Sequence, residues 1–295
     1  MHRLLVRLST AAATAALAAM SAAAQELPAV ASLVAAENAF AAHSVATDMR
    51  QSFIRALGKE GVLLRPHPVN GAAFMQAQPV PPITLNWRPV FATVSASGDI
   101  GVTTGPWQIT PRGAAVRPPS FGQFISLWRR YPDGEWRLLF DNGIGHPLPT
   151  LADAFIEVVN PAGHRADKTK VETTLDRFVA QAAESDYASA VRAHAAAGVR
   201  AFRNNVAPFV GRDSLPALPK DSEFARTQLS VVPEVAGVAS SGDLLWRLYA
   251  LRRKPEPRIL AYAFTVWRAT ATGGIELLID VLTETPPPMP STAPK

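Results

Sequence analysis

No cysteine occurs in the 295 residues, which excludes disulfides, thiolate metal sites, a cysteine nucleophile and a lipidated N-terminal cysteine. The six histidines show neither His-x-His nor His-x-x-x-His spacing, so no dedicated metal site is expected. A Gly-x-Ser-x-Gly elbow, a Walker loop and a dinucleotide fingerprint are all missing, and no cofactor is implied. Charge is sparse as well: charged residues make up 18% of the chain, and the net charge of +5 is too small an excess to argue for a nucleic-acid partner.

What is present is a leader and a repeat. Arg3 and Arg7 precede an alanine-rich apolar run ending at Ala22-Ala23-Ala24, with Gln25 next. This reads as a secretory signal over residues 1–24 with an A-x-A cleavage site near Ala24; the alternative is a membrane anchor, against which alanine is a weak driver of insertion. Cleavage removes two positive charges, leaves no stable membrane span and implies a periplasmic or secreted protein. Two cores of this size hold together on hydrophobic burial, so the lack of disulfides does not conflict with export.

The repeat is written in Ser97-Gly98-Asp99, Trp128, Gly134, Leu138-Leu139 and Asp141, which reappear as Ser241-Gly242-Asp243, Trp267, Gly273, Leu277-Leu278 and Asp280. The offset is 144 residues for the first block and 139 for the rest, and a period of about 140 residues is the size of one compact domain. Two copies follow: a first domain over 25–148, a linker over 149–168, a second copy over 169–284 and a proline-rich, disordered tail over 285–295.

Each copy opens with helix. Val30, Leu33, Val34 and Ala41 form a helical stripe, a second segment runs from Ala46 to Leu57, and Ala72 to Gln78 makes a short helix. Strands follow over Val62–Leu64, Trp87–Ser95, Ile100–Thr110, Phe121–Tyr131 and Glu135–Asn142, separated by Gly and Pro turn signals. In the second copy Val171, Leu175, Phe178 and Val179 start the helix, and the apolar stretch Leu151–Val159 between the copies reads as a small helix packing the domains together. Helices followed by long antiparallel strands give an α+β class, two tandem cone domains whose N-terminal helices pack on a curved antiparallel sheet with an open mouth for a small ligand.

Several strings carry a family resemblance: Arg65-Pro66-His67-Pro68-Val69-Asn70-Gly71, Trp87-Arg88-Pro89, the run from Ser97 to Trp107, Phe121-Gly122-Gln123, Ser126-Leu127-Trp128, Gly134-Glu135-Trp136 and the run from Asp141 to Pro147. Over about Leu33 to Pro147 the first copy resembles the nuclear transport factor 2-like superfamily, which includes ketosteroid isomerases and SnoaL-like polyketide cyclases. The resemblance implies a cystatin-like cone fold with a pocket, and pairing through sheet faces, which in a tandem chain would make an intrachain pseudo-dimer. The second copy departs from it: Arg247-Leu248-Tyr249-Ala250-Leu251 stands where the first has Thr103-Thr104-Gly105-Pro106-Trp107, so any site is expected in the first domain.

The candidate catalytic groups are Glu37, Asp141 and His146, since a proton shuttle needs a carboxylate in an apolar pocket with a donor nearby. Glu37 falls on the apolar stripe and is either capped by a buried partner or faces a cavity. Asp141 recurs as Asp280, which favours a structural role. His146 ends the last strand, where histidines are commonly solvated. Arg65, Trp87, Trp107, Gln123 and Trp128 are candidate ligand-binding residues, with Arg65 either holding an anionic group or pairing with Asp99. The reading that follows is a binding module for a small apolar or amphipathic ligand or a protein partner; the alternative is an isomerase, cyclase or dehydratase using a pocket carboxylate.

Overall fold

A computed structural model describes residues 29–113, 117–147, 155–159, 163–215, 228–256 and 258–286. The expected leader and most of the expected tail lie outside these residues.

The first domain begins with α1 (Ala29–Ala46), long and apolar enough to cross a membrane by length and composition. Its buried positions Val30, Leu33, Glu37, Phe40, Ala41 and Ser44 form one stripe at helical spacing, and that face packs into the domain core. Asp48 caps α2 (Met49–Ala56) by accepting from the Gln51 backbone N–H at 2.8 Å, and α2 runs straight into β1 (Leu57–Leu64). After β2 (Pro68–Asn70) and α3 (Gly71–Ala77) come β3 (Ile83–Trp87), β4 (Phe91–Val94), β5 (Ile100–Pro111), β6 (Ser120–Arg130), β7 (Trp136–His146) and β8 (Glu157–Val158). The stretch read as one strand from Trp87 to Ser95 is two, both antiparallel to β5. Pro89 lies in the gap between them, where a missing N–H costs the ladder nothing.

The second domain repeats the plan with α4 (Lys168–Glu184), α5 (Tyr187–His194), β9 (Ala195–Arg203), β10 (Phe209–Val210), a single 3-10 turn (Arg212–Ser214), β11 (Leu229–Val238), β12 (Leu244–Arg253), β13 (Ile259–Ala269) and β14 (Ile275–Glu284). The sheet orders correspond: β2-β1-β7-β6-β5-β4-β8 in the first, β10-β9-β14-β13-β12-β11 in the second. Both sheets are mixed, because β1 runs parallel to β7 and β9 parallel to β14. Of the stretch Leu151–Val159 read as a helix, residues 155–159 are extended, and the rest lies outside the described residues. Glu157 and Val159 donate their backbone N–H groups to the carbonyls of Val90, just before β4, and Ala92 within it, at 2.9 and 3.1 Å, and covering an edge in this way removes a site for stray pairing.

Each sheet has one face on its helices and the other on the partner sheet, so the central strands are buried on both sides. Phe91, Ile125, Leu127, Phe140 and Ile144 of the first sheet share a core with Trp246, Leu248, Phe264, Ile279 and Val281 of the second. The Phe140 and Phe264 rings stack at 4.0 Å, only 5° from parallel. Burying each such side chain contributes about 2 kcal/mol.

The repeated Ser-Gly-Asp turns clasp one another at the end of this interface. Asp99 accepts from the Ser240 N–H at 3.0 Å and its hydroxyl at 2.5 Å, and Asp243 accepts from the Ala96 N–H at 2.9 Å. Ala96 and Ser240 are themselves repeat partners, so the contacts obey a local two-fold, with the Ser97 and Ser241 hydroxyls 2.9 Å apart near its axis. Gly98 and Gly242 turn at φ +70° and +74°, where a Cβ brings strain.

Candidate functional site

Strand register decides which side chains can meet. Leu63 pairs with Asp141, Asp141 with Ser126, and Ser126 with Thr103, so Asp141, Ser126 and Thr103 form one polar row across three strands. Paired residues share a face, and this row faces the helices, opposite Glu37 of α1.

Glu37 is fully buried and accepts hydrogen bonds from Trp87 Nε1 at 2.6 Å, Thr103 Oγ1 at 2.5 Å and Trp128 Nε1 at 2.9 Å. Burial raises its pKa, and the hydroxyl and indole donors oppose the rise. It is a capped carboxylate behind the site rather than a group lining it. Trp128, 1% exposed and spent on Glu37 and Thr103, is core.

In front of this network lies a cavity of about 190 Å³. Its apolar wall comes from Phe40, Met49, Phe53, Leu85, Trp87 and Phe124, with Trp107 and Ile109 beside them, and its polar wall from Arg65 and the Asp141–Gly143 stretch. Trp107 reaches it because β6 and β7 carry glycine below the ring; a Cβ at Gly122 would stand 2.2 Å from the indole.

Asp141 is the chemically distinctive group. Ser126 Oγ donates to it at 2.8 Å. Burial pushes its pKa up to about 7, the nearby Glu37 charge adds to the rise, and the Ser126 hydroxyl and the Arg65 charge work against it. Arg65 keeps solvent contact and donates to the Leu64 carbonyl at 2.6 Å. Surrounding protein desolvates its guanidinium and lowers its pKa, which the Asp141 charge partly restores. The acid opposite Arg65 is therefore Asp141, while Asp99 is committed to the domain clasp.

The sheet separates the remaining candidates. Gln123 pairs with Ile144 and His146 follows Ile144 by two, so both belong to the face turned toward the second domain. That face also carries Asn142, whose amide donates to Thr283 at 2.7 Å. His146 is 3% exposed rather than solvated, at a strand end where the Asn205 N–H of the second domain donates to the Gly145 carbonyl at 2.7 Å. The structure thus brings Arg65, Trp87, Trp107 and Asp141 to one cavity, sets Glu37 and Trp128 behind it, and places Gln123 and His146 across the sheet. Sequence reasoning missed Phe40, Met49, Phe53 and Phe124. The signal for Met49 was available at an offset of 138, where the second copy has Tyr187 after an equivalent aspartate cap.

No family model matches the chain, and no curated protein matches it. Solved structures do. A ketosteroid isomerase-like protein from Erwinia carotovora atroseptica is 17% identical, with 39% of this chain covering 95% of that one at a TM-score of 0.32. A nuclear transport factor 2-like superfamily protein from Salmonella enterica is 13% identical (43% of this chain, 98% of that one, TM-score 0.33). A protein with a cystatin-like fold from Nostoc punctiforme is 12% identical (41% and 92%, TM-score 0.31).

Proposed function

We propose that the first domain binds a small, ring-sized, largely apolar molecule that carries one polar group, and that the second domain is a structural copy. The observation that carries this reading is the aromatic cavity with Asp141 and Arg65 on one wall. Its size narrows the ligand. About 190 Å³ is a little more than a cavity that holds one benzene, roughly 150 Å³, and less than the ~300 Å³ at which drug-sized pockets begin. A single ring with a substituent fits and an enclosed steroid does not. Export remains part of the proposal, supported by Arg3, Arg7 and the alanine-rich run before Gln25; mass spectrometry of the protein recovered from a cell envelope fraction should find Gln25 at its N-terminus.

Calorimetric titration of the full chain with monocyclic aromatics and with a steroid tests the size argument. Binding of the former alone is expected, and binding of the steroid alone contradicts it.

A second reading has its own observation. A carboxyl pushed up to about 7 in an apolar cavity is poised to give and take protons near neutral pH. Isomerase-type chemistry at Asp141 would show as exchange of the α-protons of a small cyclic ketone in deuterated water, lost in Asp141→Asn; exchange that survives the substitution removes Asp141 from that role.

A further inference from the structure

The chain contains a filled copy of its own cavity. Directly after the Asp186 cap stands Tyr187, where the first domain has Met49 after Asp48. The Tyr187 ring is fully buried, lies edge-on to Phe178 at 5.9 Å between centroids, and donates its hydroxyl to Asp280 at 2.6 Å. Phe178 and Asp280 are the repeat partners of Phe40 and Asp141, and both of those line the first-domain cavity. The correspondence is fixed by register, since β9 meets β14 with Ala201 opposite Asp280 as β1 meets β7 with Leu63 opposite Asp141.

The cation repeats too. Two residues beyond Leu63 and Ala201 come Arg65 and Arg203, each donating to the carbonyl of its preceding residue, at 2.6 and 2.8 Å. Arg203 also forms an ion pair with Asp280 Oδ2, leaving Oδ1 to the tyrosine. Two more exchanges add side-chain volume, Leu282 for Gly143 and Tyr249 for Gly105, both buried, while Leu251 stands for the larger Trp107. Tyr187 thus takes up, in the second domain, the room that Met49 leaves open in the first.

Resting on the reading of the cavity as a binding site, we propose that its ligand class is the simple phenol, with the ring among Phe40, Phe53, Trp87 and Phe124 and the hydroxyl donating to Asp141 beside Arg65. Tyr187 is the template for that pose. A phenol suits the polar wall better than the two obvious alternatives. A bare hydrocarbon leaves the buried carboxylate without a further donor, and a carboxylate ligand sets a second negative charge against Asp141.

The pH dependence has a definite sign. The charged groups acting on Asp141 are Glu37 from α1, which raises its pKa, and Arg65 after β1, which lowers it, with the Ser126 hydroxyl from β6 also lowering it. A phenol donates to the ionised carboxylate, so its affinity climbs as pH rises through about 7 and falls again when the phenol itself ionises near pH ~10. A carboxylate ligand favours the protonated carboxyl and shows the opposite trend.

The test is calorimetric titration of the full chain with 4-methylphenol, which is a tyrosine side chain without its backbone, against toluene and benzoate. The expected result is 4-methylphenol bound at least about tenfold tighter than toluene, the effect of one hydrogen bond to a charged acceptor. Its affinity should also rise about tenfold between roughly pH 5.5 and pH 8. Met49→Tyr should abolish binding by placing the chain's own phenol in the cavity, and Gly143→Leu repeats the closure through a different exchange. Equal binding of toluene, preference for benzoate, or a pH trend of the other sign overturns the phenol assignment while leaving the cavity as a binding site. Failure of all three probes removes both.

Discussion

The two domains hold the same arginine and aspartate at the same register, yet in one the pair is sealed and in the other it opens onto a cavity. Asp280 is fully buried between the Tyr187 hydroxyl and Arg203, whereas Asp141 meets Ser126, the Arg65 charge and an open space. The difference lies in the neighbours, chiefly Met49 against Tyr187 and Gly143 against Leu282. A residue's recurrence in a duplicated fold is therefore no guide to its role; what fills the space beside it decides whether it supports the core or faces a ligand.

The two sites differ most sharply at their arginines. Arg203→Met leaves Asp280 as a buried charge without its cation and should cost about 3–5 kcal/mol. Arg65→Met, at a solvent-exposed position, should cost less than about 1 kcal/mol. Denaturant melts of both variants read the contrast, and equal losses would erase the distinction between sealed and open pairs. Next comes pH. A carboxyl whose pKa rises from an ordinary 3.8 to about 7 on folding favours the folded state when protonated. Its contribution, on the order of 4 kcal/mol, is fully present below about pH 4 and disappears as pH climbs through about 7. Wild-type stability should fall across that window, and Asp141→Asn should flatten the profile.

Tyr187→Ala empties the sealed site. It should destabilise by about 3 kcal/mol through the cavity it leaves, and 4-methylphenol should raise its melting temperature by more than it raises that of the wild type, because the variant offers a second cavity to fill. A shift no larger than that of the wild type would show that the second-domain site does not accept a detached phenol. The smallest effect is expected at the clasp. Asp99→Ala removes a carboxylate that accepts from the Ser240 N–H and hydroxyl, and Asp243→Ala its repeat counterpart. Each should cost about 1–2 kcal/mol.

The tandem α+β architecture was legible because the repeat survives at turns and at strand centres, where Gly98 and Gly242 or Trp128 and Trp267 answer to the same geometry. Glu37 was legible as a carboxylate on an apolar stripe, and the three donors of Trp87, Thr103 and Trp128 resolve the alternative left open for it. The face of the sheet that each residue occupies was not legible. With both sheet faces buried, the usual alternation of polar and apolar residues disappears, and the bulge between Leu127 and Trp128 shifts parity again. Gln123 and His146 were therefore grouped with Asp141 although they lie on the other face. The linker misled for a related reason: Val158 and Val159 read as apolar without saying whether they serve a helix or the free edge of β4.

The most direct measurement is a crystal structure of the full chain soaked with 4-methylphenol. One molecule is expected in the first-domain cavity with its hydroxyl within hydrogen-bond distance of Asp141, superposing on Tyr187 when the second domain is laid over the first. A molecule bound with its hydroxyl away from Asp141, or an empty first-domain cavity beside a site elsewhere, would contradict it.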